Sequence, residues 1–347
     1  MFMRAAVLAK PGKIATMPLR LESVPRPAPA KGEVLLRVLA CGVCRTDLHI
    51  VEGELPPQCQ SLIPGHQIVG EVVGESGGEA SESLPSPPPG SRVGVSWIGG
   101  TDGVCWYCRH GMENLCDAPT FTGYSVNGGY AEYATAHADF VFPLPEAGSG
   151  ATGATMDALQ AAPLLCAGII GFRSLRVAGV QPGERVGLFG FGASAHLAID
   201  VLRHWGCAVY VSTRGASHRT LAERLGAAWV GSETERPPVQ LDRAVTFAPS
   251  GDVVVSALAC LRKGGVVAIN AIHLDRMPRF DYDRLLWGER QLRSVTNMTR
   301  DDARDFLRLA SEIGIHPKVT TFALEEANQA LAAIKGDAID GAAVIVP

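Results

Sequence analysis

Over roughly the first 150 residues, apolar positions come in short runs broken by Gly and Pro, as in Glu33–Leu39 and Ile68–Val73. That rhythm predicts a mainly β unit. The Ser-, Pro- and Gly-rich stretch Glu75–Ser91 has no periodicity and predicts a connecting surface loop. After about Ala151 the pattern changes. Arg185–Phe189 is a compact apolar strand, Ala193–Trp205 carries helical spacing, and Ala208–Thr213 is again a strand. A helix over Ser217–Leu225 follows, then strands near Leu241–Phe247, Gly265–Asn270 and Leu292–Thr296. Alternation of this kind predicts an α/β fold with a doubly wound parallel sheet covered by helices on both faces. Helices near Asp301–Ile313 and Leu324–Ile334 and a terminal strand Ala342–Val346 are expected to return to the first domain. The domain plan is therefore 1–150, 151–297 and 298–347.

Composition narrows the function classes. The 347 residues are 47% hydrophobic and 19% charged, with a formal net charge of −4, values of an ordinary globular chain. There is no basic stripe of the kind phosphate backbones require, so a nucleic-acid partner is excluded. The longest strongly apolar run, Ala161–Phe172, is shorter than the roughly 20 residues that span a bilayer and reads as core. The N-terminus lacks a secretory pattern, so the expectation is a cytoplasmic protein without a membrane partner. Its nine cysteines then point to metal ligation or free thiols rather than disulfides.

Gly190-Phe191-Gly192-Ala193-Ser194-Ala195 follows a strand and opens a helix. This is the context in which glycines let the backbone approach a dinucleotide pyrophosphate at a helix N-terminus. The second strand ends in Ser212-Thr213-Arg214, with no local carboxylate to accept a ribose 2′-hydroxyl. Thr213 and Arg214 suit a 2′-phosphate, so NADP(H) is favoured over NAD(H).

Two CxxC pairs, Cys41/Cys44 and Cys105/Cys108, lie too far apart in the chain for a single zinc ribbon. The run Cys105-x2-Cys108-x7-Cys116 is compact enough to wrap one metal, and a closed site needs a fourth ligand. Asp102 continues the spacing and His110 is the competing candidate. Cys44, His66 and Cys166 are uninformative singly.

Taken together, the segments CGVCRTDLH, PGHQIVGEV, CWYCRHGMENLC, GGYAEY, APLLCAGI and GFGASA resemble the medium-chain, zinc-dependent alcohol dehydrogenase family in order and approximate spacing over nearly the whole chain. The resemblance implies a mainly β GroES-like catalytic domain joined to a Rossmann cofactor domain. It implies a catalytic zinc held by Cys44, His66 and Cys166, and a structural zinc held by Asp102, Cys105, Cys108 and Cys116. It further implies hydride transfer between NADP(H) and a small primary alcohol or aldehyde. Thr46 and His49 would relay the substrate proton, Asp47 would orient His66, Arg45 would contact the pyrophosphate, and Trp97 would line the substrate pocket. Gly190, Gly192, Ala193, Ser194 and Ala195 would hold the cofactor, and a homodimer or homotetramer is expected.

The chain departs from the family at Gln67, where a Glu usually follows the ligand His, and at Asp102, where the structural set usually begins with Cys. A zinc-free quinone or enone reductase would not need Cys44, His66 and Cys166 together. A non-enzymatic NADPH-binding sensor would have no use for the Thr46 and His49 relay.

Overall fold

The computed structural model describes residues 1–74, 87–144, 156–339 and 341–347. Residues 75–86 of the expected loop, and the expected boundary between 150 and 151, lie outside the described residues. The chain divides into two compact units, Met1–Cys166 with Asn297–Pro347, and Ala167–Thr296.

The first unit is organised around the strand Glu33–Val43. Its buried positions face a core containing Val34, Leu36, Val38, Cys41 and Val43. The strand pairs antiparallel with Gln67–Val72 on one side and with the C-terminal strand Ala342–Val346 on the other, and with Tyr133–His137 over its first half. Arg92–Val95 and Val141–Pro143 extend the sheet on one flank, and Val319–Ala323 extends it on the other. The Val38/Ala40 register shift breaks the pairing with Gln67–Val72, shortly before the strand runs into Cys44.

The second unit is a six-stranded sheet in which every pairing is parallel. Its order is Trp229–Gly231, Ala208–Ser212, Arg185–Phe189, Leu241–Thr246, Leu261–Ile269, Gln291–Ser294. In chain order this is 3-2-1-4-5-6, the dinucleotide-binding arrangement, with the order reversing between Arg185–Phe189 and Leu241–Thr246. Strands covered on both faces carry continuous apolar runs, as Val186, Leu188 and Phe189 do here.

Two elements go beyond the sequence expectation, which assigned nothing to 251–259 and a shorter apolar run at 161–172. Gly251–Ala259 is a helix although Val253-Val254-Val255 favours a strand. Its buried positions, Val254, Ala257 and Leu258, recur with helical spacing, so packing against the sheet overrides propensity. The apolar run Ala161–Phe172 belongs to a longer helix, Ala158–Ala178, whose 21 residues meet the length and hydropathy of a membrane span. It is a core helix by its contacts. Ala158–Pro163 packs on the strands Glu33–Val43 and Gln67–Val72 of the first unit, and Ile169–Ala178 packs on Leu241–Thr246 and Leu261–Ile269 of the second.

Candidate active site

Three segments distant in sequence bring Cys44, His66 and Cys166 together, with one ligand atom from each within 4.8 Å of the others. Cys44 directly follows the central strand and caps the helix Arg45–Glu52. Asp47, at the third helical position, reaches back so that Oδ2 accepts the Cys44 backbone N–H at 2.8 Å. Its Oδ1 lies 2.8 Å from His66 Nδ1, and Oδ2 also accepts the Tyr130 hydroxyl at 3.2 Å. One fully buried carboxylate therefore ties two ligand segments to a third strand of chain. Tyr130 was not singled out from sequence, and its contact with Asp47 spans 83 positions. Burial first, and then the nearby Asp47, push the Tyr130 hydroxyl upward, so it remains a donor.

Backbone chemistry explains the residues around His66. Gly65 has φ +98°, and a Cβ there would lie 2.4 Å from the Tyr130 ring and 2.9 Å from Cys41 Sγ. Gly129 N–H donates to Gly65 O at 2.8 Å and Tyr130 N–H to Pro64 O at 3.0 Å, so the Gly-Gly-Tyr segment clamps the loop that presents His66. Cys41 is wholly buried in this packing and stands outside the ligand cluster, and burial pushes its thiol up. Gln67, also buried, faces Gly42 across the sheet.

Cys166 lies in a wider π-type turn, Leu164–Gly168, that follows Pro163. Ser96 Oγ donates to the carbonyl of Leu165, and a Cβ at Gly94 would lie 2.3 Å from the Leu165 side chain. The strand Arg92–Val95 and its extension thus fix the residue preceding Cys166.

The donor set fits a zinc ion. His66 Nδ1 is held by Asp47, while Nε2 is buried without a hydrogen-bond partner among the described residues. Two cysteine sulfurs beside it complete a three-ligand set of the kind that leaves one position open. The Cys44 thiol is driven well down, by Cys166 first and by His66 in addition, against the opposing effect of burial. Burial lowers the His66 imidazole, but Asp47 and Cys44 together outweigh it and raise it to about 10.

Thr46 is buried, its Oγ1 3.7 Å from Cys44 Sγ. Trp97 meets the His66 ring edge-on at 5.2 Å and stacks on Phe121 and Tyr124, with centroids 4.9 and 5.8 Å away. These two aromatics escaped the sequence reading because they lie beyond the metal-binding loop. His49 Nδ1 pairs with the Glu54 carboxylate. The Arg45 guanidinium lies 3.4 Å from Ile334 O and 3.3 Å from Asp337 Oδ1.

The second cluster is local. Ligand atoms of Asp102, Cys105, Cys108 and Cys116 lie within 4.8 Å of one another, and His110 is not among them. Instead His110 Nδ1 bonds Trp106 O at 2.6 Å and its ring stacks on Trp106. Asp102 Oδ1 accepts the N–H groups of Cys105 and Val104, both at 2.9 Å, which hold the carboxyl well below its usual range. The sulfurs of Cys116 and Cys105 likewise accept backbone N–H groups of Asp102 and Cys108.

In the second unit, Gly190 has φ +87°, and a Cβ there would come within 3.0 Å of Ala248 N. Gly192 caps the helix Ala193–His204, and a Cβ there would meet nothing within 4 Å. The backbone at this helix N-terminus is open to a pyrophosphate. Ala195 is fully buried, and Ser194 O would lie 2.7 Å from a Cβ at Gly171, so the helix packs closely on its neighbour. At the end of the second strand Thr213 is buried and Arg214 exposed. The absence of a carboxylate expected there does not hold in space. Trp229–Gly231 pairs parallel with Ala208–Ser212, and the chain beyond it delivers Glu233 Oε2 to 3.6 Å from Arg214 Nε.

A family model described as the alcohol dehydrogenase GroES-like domain matches residues 30–146. A "probable alcohol dehydrogenase" of Mycobacterium tuberculosis (strain CDC 1551 / Oshkosh) is 44% identical over 99% of this chain and 97% of its own length. An alcohol dehydrogenase of Geobacillus stearothermophilus is 33% identical over 94% of this chain and 95% of its own. The solved structure of a cobalt- and zinc-bound thermostable alcohol dehydrogenase from Pyrobaculum aerophilum covers all of both chains with a TM-score of 0.85 at 24% identity, which is a likeness of fold. The chain belongs to the medium-chain, zinc-type alcohol dehydrogenase family.

Proposed function

We propose that this alcohol dehydrogenase works through zinc held by Cys44, His66 and Cys166 and prefers NADP(H), oxidising small primary alcohols or reducing the matching aldehydes. The observation that carries the reading is His66 Nε2, a buried nitrogen without a hydrogen-bond partner among the described residues, grouped with two cysteine sulfurs. The zinc would supply a Lewis acid to the substrate oxygen and the cofactor would supply or accept hydride. Asp47 holds the proton on Nδ1, so Nε2 is the nitrogen that would give up its proton and turn its lone pair to the metal. Thr46 Oγ1, beside Cys44, is the hydroxyl that holds the substrate proton, and His49 with Glu54 passes it toward solvent. Trp97, Phe121 and Tyr124 form an aromatic wall next to His66 suited to a short apolar substrate chain. Asp102, Cys105, Cys108 and Cys116 would close around a structural zinc, and Gly190–Ala195 with Thr213 and Arg214 would bind the cofactor. A cytoplasmic homodimer or homotetramer completes the reading.

The test is nicotinamide absorbance with a panel of primary alcohols and aldehydes, offering NADP(H) and NAD(H) separately, before and after chelation. Chelator-sensitive turnover that returns with added zinc and favours NADP(H) is expected. Turnover that survives complete removal of metal would contradict the zinc assignment.

A further inference from the structure

We propose that Glu233 is a specificity-determining residue of the cofactor site, acting as a carboxylate brake on the 2′-phosphate preference that Arg214 creates. The inference rests on the assignment of the nucleotide site to the end of the strand Ala208–Ser212.

Glu233 reaches this position through a defined backbone. Thr213 N–H donates to Gly231 O at 3.0 Å and Ser212 Oγ donates to Ser232 O at 3.0 Å, stapling the ends of two parallel strands. Gly231 tolerates no side chain, since a Cβ would lie 2.2 Å from the Trp229 ring. Beyond it, the Glu235 carboxylate accepts Ser232 N–H at 2.7 Å and fixes the turn that carries Glu233. The carboxylate ends 3.6 Å from Arg214 Nε, with side-chain exposures of 81% for Arg214 and 49% for Glu233. Both groups are therefore accessible to a ligand. A second guanidinium, Arg219, donates to Thr213 O at 3.2 Å and Arg214 O at 2.7 Å, so it braces the strand end.

A ribose 2′-phosphate approaching Arg214 must displace or lie beside Glu233, and its negative charge is repelled by that carboxylate. A 2′-hydroxyl meets no such penalty and can donate to the carboxylate. Arg214 and Glu233 thus pull cofactor choice in opposite directions, and the preference for NADP(H) is smaller than Arg214 alone would set.

The test is equilibrium binding of two cofactor fragments, 2′,5′-ADP and 5′-AMP, to the full-length protein by titration calorimetry. Wild type, Glu233→Gln, Arg214→Gln and the double variant are compared, with 5′-AMP binding as the control that the site is folded. Glu233→Gln is expected to tighten 2′,5′-ADP about three- to tenfold at low salt and to leave 5′-AMP, which loses the carboxylate acceptor of its 2′-hydroxyl, equal or weaker, the gain shrinking as salt screens the pair. In the Arg214→Gln background the repulsion persists, so Glu233→Gln again tightens 2′,5′-ADP. A reduced 2′,5′-ADP preference in Arg214→Gln with none gained in Glu233→Gln would keep the cofactor site and overturn the brake. No change in either variant would overturn both.

Discussion

The two ligand clusters reach similar chemistry by opposite routes. Asp102, Cys105, Cys108 and Cys116 come from one short loop, and that loop's own backbone N–H groups hold the carboxylate and two of the sulfurs. Cys44, His66 and Cys166 come from three distant segments and are held by the fold around them: a carboxylate hub at Asp47, a glycine clamp at Gly65 and Gly129, and the Ser96 contact to Leu165. A local cluster needs only a turn to preassemble it. A distributed one depends on strand register and packing far from its members, and it gains burial in exchange.

This contrast makes sharp predictions. The largest effect is expected from Gly65→Ala, which places a Cβ 2.4 Å from the Tyr130 ring at a positive φ. Strain and overpacking together should cost about 3 kcal/mol or more. Thermal or denaturant unfolding checks the loss, and metal analysis should show zinc depleted at the distributed cluster and retained by the Asp102 loop. Next comes Asp47→Asn, which removes the charge holding His66 Nδ1 while keeping the shape. It should reduce zinc affinity at the distributed cluster, or turnover, by roughly 10- to 100-fold. Equal loss from both clusters would break the comparison.

The parallel sheet supplies a control that neither cluster should feel. Asp242 is depressed to about 2 because bonds from Arg262 and Arg185 outweigh the cost of its burial. Since its folded value lies below its unfolded value near 3.9, the stability it contributes is present above about pH 4 and lost as pH falls toward 2. The expected contribution is about 1 to 2 kcal/mol, read as the flattening of the acid limb of the stability curve in Asp242→Asn. The smallest effect is at Asp102→Cys. A thiolate in place of an oxygen ligand should slow chelator-driven zinc release from the local cluster by about three- to tenfold without altering turnover.

The same contrast governs what the sequence could disclose. The local cluster is legible from its spacing, because residues close in the chain are close in space. That spacing left Asp102 and His110 in competition for the fourth place, and the folded loop brings in Asp102. The distributed ligands become readable only when several motifs are taken jointly, and their supports are less readable still. Tyr130 and Asp47 meet across 83 positions, and nothing in the pattern near either residue announces the contact. Glu233 was invisible for a related reason: the carboxylate missing after the second strand arrives from the third, delivered by parallel pairing. Strands such as Arg185–Phe189 were legible because burial on both faces leaves a continuous apolar run. The helix Gly251–Ala259 was not, since its valines favour the conformation that packing rejects.

Zinc content and alcohol turnover measured together in the wild type and in His66→Ala test the role of the distributed cluster. His66→Ala is expected to lose the zinc of the distributed cluster and with it turnover, while keeping the zinc of the Asp102 loop and the capacity to bind nicotinamide cofactor. Full turnover from His66→Ala lacking that zinc would contradict that role.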